Sequence, residues 1–275
     1  MSAFVRLAAP VAALVLGAAD VHAQGVTIRD VRGARSQGLG GAGIALADDA
    51  WRNPAALAAI DRPGLRLYGD RAFLLPELQL AAASVNAAFP GIAVGAMAAS
   101  FGYEDFRATR LTVGAARSLR FGTYRRLYAG LGVTAQRIAL GGDYGSATGV
   151  SLDAGLRTAL TPRLDVGARA TNLLVGKVGG AALPRHVDVG LAFAATPSVR
   201  VVADAGQLVG AGLSARGGLE VQVVDALALR LGGGTNPEQF STGLGLSLGR
   251  VGVDVAVTRT GPLPWTPAVE LRASL

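Results

Sequence analysis

From about residue 64 to the C-terminus, apolar residues alternate with small, polar or charged ones in short runs. Val187, Val189, Leu191 and Phe193 are interleaved with His186, Asp188, Gly190 and Ala192. Val251, Val253, Val255 and Val257 are interleaved with Gly252, Asp254, Ala256 and Thr258. Leu164, Val166, Ala168 and Ala170 alternate with Asp165, Gly167, Arg169 and Thr171; Val150, Leu152, Ala154 and Leu156 alternate with Ser151, Asp153, Gly155 and Arg157. Successive side chains of a strand point to opposite faces, so each run predicts a strand with one wholly apolar face. Turn formers separate the runs: Thr161-Pro162-Arg163, Thr196-Pro197-Ser198, Asn236-Pro237-Glu238 and Gly261-Pro262. This segmentation predicts about fourteen strands, mostly of roughly 9–13 residues, which suits tilted strands crossing a bilayer. An even number of strands lets an antiparallel barrel close, and closure removes the unpaired edges that lipid cannot satisfy.

The other face decides between a membrane barrel and a soluble exported β-domain. Asp153, Arg157, Arg169, Asp188 and Asp254 fall on non-apolar positions of these runs, and Arg230 stands between Leu229 and Leu231 in the same way. In the dry core of a sandwich such charges are costly without partners. A hydrated lumen accepts them. The predicted fold is therefore an all-β, transmembrane antiparallel β-barrel over residues 64–275.

Composition agrees. The chain is 51% hydrophobic with 39 Gly, yet only 16% charged, against about 25% in ordinary soluble domains. No stretch of about 18 uncharged apolar residues provides a helical membrane span. Aromatics make up 5%, which predicts thin interfacial girdles. The net charge of +7 comes from Arg spread along the chain, with a single Lys, Lys177. The densest group is Arg117-Ser118-Leu119-Arg120 with Arg125-Arg126. Such scattering points to loop solvation or contact with anionic lipopolysaccharide rather than to nucleic acid.

The N-terminus has a different design. Arg6 precedes an apolar run from Leu7 to Ala19, and Val21-His22-Ala23 ends it with a small-x-small pattern. This is the layout of a secretory signal peptide over residues 1–23. Residues 24–63 do not alternate. They hold Gly38, Gly40, Gly41 and Gly43, then Asp48-Asp49, then Asn53-Pro54-Ala55. Gly38, Gly40 and Gly43 satisfy G-x-G-x-x-G, but a dinucleotide site needs a strand before and a helix after within a βαβ unit. The preceding residues 29–37 are charged and not strand-like. A compact plug fits better: glycines for close backbone approach, Asp48-Asp49 to cap or salt-link lumenal Arg, and Asn53-Pro54 as the turn that leads out to the first strand.

The same block, Ala34-Arg35-x-x-Gly38-x-Gly40-Gly41-Ala42 with Ala47-Asp48-Asp49-Ala50 and Asn53-Pro54-Ala55-x-Leu57-Ala58, resembles the N-terminus of the FadL/PorV/PorQ outer-membrane superfamily. Asn172-Leu173, Leu183-Pro184-Arg185 and the run from Asn236 to Leu246 are similar to its PorV/PorQ-type branch. The resemblance implies a fourteen-stranded barrel in the bacterial outer membrane with an N-terminal lumenal hatch. It makes Gly38, Gly40, Gly41, Asp48, Asp49, Asn53, Pro54 and Ala55 the hatch residues. It implies passage of a hydrophobic small molecule, or an accessory role with a secreted protein or translocon as partner.

No enzyme is expected. With Cys absent and His22 in the leader, His186 is the one histidine of the mature chain. Its sequence neighbour Asp188 has no marked nucleophile beside it. No metal site and no cofactor are expected. Intact-mass measurement of the chain extracted from membranes is expected to give Gln24 as the first residue; a mass that includes residues 1–23 overturns the signal-peptide reading.

Overall fold

In the computed structural model the described residues are 30–121, 125–174, 177–208 and 212–275. The expected signal peptide, 1–23, and the start of the expected plug, 24–29, lie outside them. The alternating runs form fourteen antiparallel strands in one closed barrel. In chain order these are β1 (Gly64–Arg71), β2 (Gln79–Phe89), β3 (Ile92–Gly102), β4 (Phe106–Phe121), β5 (Arg125–Leu140), β6 (Ser146–Thr161) and β7 (Leu164–Thr171). After a two-stranded hairpin, β8 (Lys177–Val178) and β9 (Ala181–Ala182), the wall continues with β10 (His186–Thr196), β11 (Val199–Leu208) and β12 (Leu213–Val224). It ends with β13 (Leu227–Gly234), β14 (Gln239–Leu248), β15 (Val251–Thr260) and β16 (Thr266–Ser274). β16 returns to β1, with Ser274 opposite Gly64, so every barrel strand has two neighbours. That closure is what a lipid environment demands of a sheet.

The alternation sorts the two faces as the sequence implies. Val189 is 53% exposed and Val255 43%, on the outside, whereas Asp188 and Asp254 between such residues are buried inside. The rims differ as well. Two-residue turns join β2–β3, β6–β7, β10–β11, β12–β13 and β14–β15 at the rim that carries the C-terminus. The opposite rim has longer connections, up to residues 172–185. Short turns mark the periplasmic side of such barrels and longer loops the outer side; the two rims are called lower and upper here.

Two details depart from the expectation. β4, β5 and β6 are each 16 residues long, beyond the expected 9–13. Near the upper rim this extension supports the hairpin: a Cβ on Gly149 of β6 would lie 2.5 Å from the Lys177 carbonyl oxygen. And the connection between β7 and β10, which has no alternating run in the sequence, contains that hairpin.

A barrel of about eight strands is filled by its own side chains, and wider ones enclose space. Here the space is taken by the N-terminal segment. A short helix, α1 (Gly33–Gly38), lies against β13–β16, and a 3₁₀ turn, Pro54–Ala59, lies against β3–β6. Leu39, Ile44, Ala55 and Ala56 between and within them are fully buried. Carbonate-washed membranes are expected to retain the protein; release into the soluble fraction is incompatible with this apolar exterior.

Candidate functional site

The lumen is where the sequence-predicted residues meet, and the plug meets the wall backbone to backbone. Gly40 and Gly41 take φ of +71° and +78°, a turn that side chains with a Cβ adopt at a cost. The turn directs the Gly40 amide onto Ser241 Oγ at 2.9 Å, while the Gly40 carbonyl accepts from Gln239 Nε2 at 2.5 Å. The wall matches with glycines of its own. A Cβ on Gly218 would lie 2.7 Å from Leu39 Cα, and one on Gly167 would lie 2.5 Å from the Ile44 carbonyl oxygen. Cβ atoms on Gly130 and Gly155 would overlap Pro54 and Asn53. Gly38 packs against Gly243 in the same way. At these positions of the wall, glycine lets the plug backbone approach.

Asn53, Pro54 and Ala55 act together. The Asn53 side chain accepts the Ala55 amide at 3.0 Å, capping the 3₁₀ turn that Pro54 opens. Its amide group donates to the Ile44 carbonyl at 2.9 Å and to the Leu156 carbonyl of β6 at 3.0 Å. One fully buried side chain thus joins two parts of the plug to the wall. The expected exit at Asn53-Pro54 is corrected: the chain stays in the lumen through Ala59, because the turn buries Ala55, Ala56 and Leu57 against β3–β6.

The structure divides Asp48 from Asp49. Asp48 pairs with Arg35 of the plug at 2.5 Å and lies 4.0 Å from Arg272 of the wall. Asp49 acts within the plug. It accepts the hydroxyl of Ser36 and the Arg52 amide, capping the turn that leads to Asn53.

Two chains of alternating charge span plug and wall. One runs Asp48–Arg35–Glu220–Arg230–Asp254–Arg272, with Arg35 to Glu220 at 2.6 Å, Arg230 to Asp254 at 2.6 Å and Arg272 to Asp254 at 2.8 Å. The other runs Asp188–Arg169–Asp30–Arg52–Asp204, with Arg169 to Asp188 at 3.2 Å, and Arg169 and Arg52 each 3.0 Å from Asp30. Asp204 also accepts the amides of Gly43 and Ile44 at 2.7 and 3.2 Å. Arg157 donates to the Ala45 carbonyl at 2.9 Å and pairs with Asp165. Removing one partner of such a buried pair strands the other charge, typically at about 3–5 kcal/mol. Asp153 plays a different part. It accepts the amide of Asn172 at 3.0 Å, at the base of the 172–185 connection. The Asn172 side chain bonds the Pro184 carbonyl and closes the neck of that loop.

Sequence reasoning missed Glu220, Glu270, Asp204, Arg35, Arg52, Arg66, Arg216 and Arg272. Glu270 accepts the Ala34 amide at 2.9 Å and pairs with Arg66 at 3.3 Å; Arg216 lies 3.8 Å from Asp188. The wall members among them occupy the same alternating positions as Asp188 and Asp254, and that alternation was the available signal. His186 opens β10 on the same face as Asp188.

Toward the upper rim the lumen is apolar over β2–β6, whereas Asp70, Arg169 and Asp188 keep the side of β1, β7 and β10 polar. The hairpin folds inward, so that Val178 and Leu183 are buried with Tyr68, Leu80, Ala108 and Ile138, and Phe101, Phe106 and Met97 pack against them. Below, a cavity lies between the plug and β1–β6, lined by Trp51, Leu57, Ile60 and Met97 on its apolar side and by Asp30, Arg66, Arg110 and Asp153 on its polar side. Among the described residues no helix is long and apolar enough to cross a membrane.

Burial pushes the Asp49 carboxyl up to about 7, against the opposing pull of its Ser36 hydrogen bond and of Arg52 and Arg66. A carboxyl raised in the folded state stabilises fully below its unfolded pKa, about 4, and loses that contribution as pH rises through the folded value. The plug is therefore expected to loosen progressively as pH rises from about 4 to about 7, seen as rising single-channel conductance in a planar bilayer. Asp49→Asn is expected to flatten this pH dependence; an unchanged profile in the variant overturns the assignment to Asp49.

No protein-family model matches the chain, and no curated protein matches it in sequence. Solved structures do match its fold. The toluene transporter TbuX of Ralstonia pickettii superposes with a TM-score of 0.66 at 11% identity, over 90% of this chain and 99% of that one. The CymD monoaromatic hydrocarbon channel gives 0.66 at 14% identity, over 88% and 97%. A FadL homologue of Pseudomonas aeruginosa gives 0.63 at 12% identity, over 88% and 98%. The chain thus shares the fold of these barrels; its own fourteen antiparallel strands close into one barrel, with the N-terminal segment packed against the inner wall.

Proposed function

We propose that the protein is an outer-membrane barrel for the passage of hydrophobic small molecules, exported by its signal peptide and gated by residues 24–63 acting as a hatch. The observation that carries this reading is the apolar part of the upper lumen, over β2–β6. A water-filled pore has a polar interior, whereas here Val178, Leu183, Leu80, Ile138, Phe101 and Phe106 gather under the inward-folded hairpin. They stand above a cavity whose floor is the plug residues Trp51, Leu57 and Ile60. An apolar solute leaves water favourably into such a chamber. The proteins that share the fold include a toluene transporter and a monoaromatic hydrocarbon channel, which supports the same class of cargo. The charge chains that hold the plug give the hatch a defined closed state.

The PorV/PorQ-type likeness of the sequence carries the second reading, an accessory barrel that receives or tethers secreted protein. Its motif segments, Asn172 with Pro184 and the run from Asn236, serve in the structure to close the upper loop and to seat the plug. Those roles fit a gated transporter directly.

Liposomes containing the purified barrel are expected to take up a radiolabelled monoaromatic hydrocarbon faster than empty liposomes. Val178→Asp is expected to reduce that uptake several-fold, because a charge in the apolar mouth is costly to desolvate. Deleting residues 25–58 is expected to raise planar-bilayer conductance. Uptake no faster than in empty liposomes overturns the transport reading; unchanged conductance overturns the hatch. Recovery of secreted proteins with the detergent-solubilised barrel, without hydrocarbon uptake, favours the accessory role.

A further inference from the structure

The outer face of the wall carries a feature that transport does not use. Just below the upper rim, β2–β6 form a trough of about 640 Å³. The strand register shows what lines it. Ala81, Ser100, Thr109, Arg137 and Thr148 are successive cross-strand partners, one on each strand. The next row down is Ala83, Ala98, Leu111, Ala135 and Val150. Leu111 and Val150 stand exposed on the outside, 53% each. By the period of two, both rows therefore point away from the lumen. The row below these, Val85, Ala96, Val113, Val133 and Leu152, is aliphatic throughout. The outer surface thus passes from hydroxyls and Arg, through a shallow band of mostly Ala, to a fully apolar band.

Arg137 is exposed and donates to Ser146 Oγ at 3.1 Å. Arg107, also exposed, stands one row nearer the rim, opposite Ala139. The two are diagonal neighbours on β4 and β5, a spacing of about 7–8 Å between such positions. A guanidinium facing lipid is costly at the bilayer midplane and nearly free at the interface. Two of them side by side over a trough of small residues match a phosphate with hydrocarbon attached. Arg binds phosphate through paired N–H donors, and the hydroxyls of Ser100, Thr109 and Thr148 add donors along the same row.

We propose that this trough is a binding site for a phosphorylated, multiply acylated lipid of the outer leaflet. Arg107 and Arg137 hold its phosphate. An acyl chain lies in the depression over Ala83, Ala98 and Ala135. A second copy of the barrel fits less well, because a two-fold contact sets a surface against itself and two concave faces enclose a void. A free anion would find the Arg pair but gain nothing from the alanine band.

The test uses the full barrel in detergent, titrated by native mass spectrometry with diphosphoryl lipid A, with fully dephosphorylated lipid A and inorganic pyrophosphate as comparison probes. Diphosphoryl lipid A is expected to bind at least about tenfold more tightly than either, the scale of one charge-assisted hydrogen bond. Arg137→Gln and Arg107→Gln are each expected to weaken it about tenfold. Ala98→Leu and Ala135→Leu, which fill the depression, are expected to weaken it while leaving pyrophosphate unaffected. All four changes lie on the outer face, and heat-dependent gel migration checks that each barrel is closed. Equal binding of dephosphorylated lipid A, equal binding of pyrophosphate, unchanged affinity in the Arg variants, or a lipid-free dimer lost in Ala98→Leu each overturns the proposal.

Discussion

The buried charges of the inner wall depend on the plug, and the plug depends on them. Glu220 and Asp254 share Arg230, but Glu220 also holds Arg35 of the plug. Asp204 accepts plug amides, and Arg169 is tied to Asp30. Glu270 takes the amide of Ala34. Charges withdrawn from water need partners and hydrogen bonds of good geometry. Wall and plug each supply what the other lacks. A closed barrel with this inner surface and a segment of this composition are two halves of one electrostatic arrangement.

Those contacts require close approach, and glycine sets how close. Gly167 and Gly218 place the wall backbone where a side chain would otherwise stand, so that Leu39 and Ile44 reach it. Asn53 then uses the exposed wall carbonyl of Leu156 as a hydrogen-bond acceptor. The plug is held by directional bonds as well as by charge.

The barrel is divided along its axis and between its faces. The lumen is polar and tied by ion pairs over most of the wall; under the hairpin, over β2–β6, it is apolar. The outside is aliphatic at mid-height, with Arg and hydroxyls toward the upper rim over β2–β6. Each division follows from alternating positions on the same strands, which lets one short repeat serve lipid, lumen and interface.

The alternation of Val251, Val253 and Val255 with Gly252, Asp254 and Ala256 was enough to determine a strand with one lipid face, and its repetition determined a barrel. Inward charges such as Arg169, Asp188 and Asp254 were legible for the same reason, because the strand period assigns a face without knowledge of neighbours. The glycine block and Asn53-Pro54 marked a plug, but not where it sits. Only the closed register brought Gln239 and Ser241 to Gly40, some 200 residues away in sequence. Only the folded turn kept Asn53 and Pro54 inside the lumen, and separated the salt-linking Asp48 from the capping Asp49. Local pattern determines which face a residue takes; its partner is chosen by strands that meet through closure, and no local pattern records that.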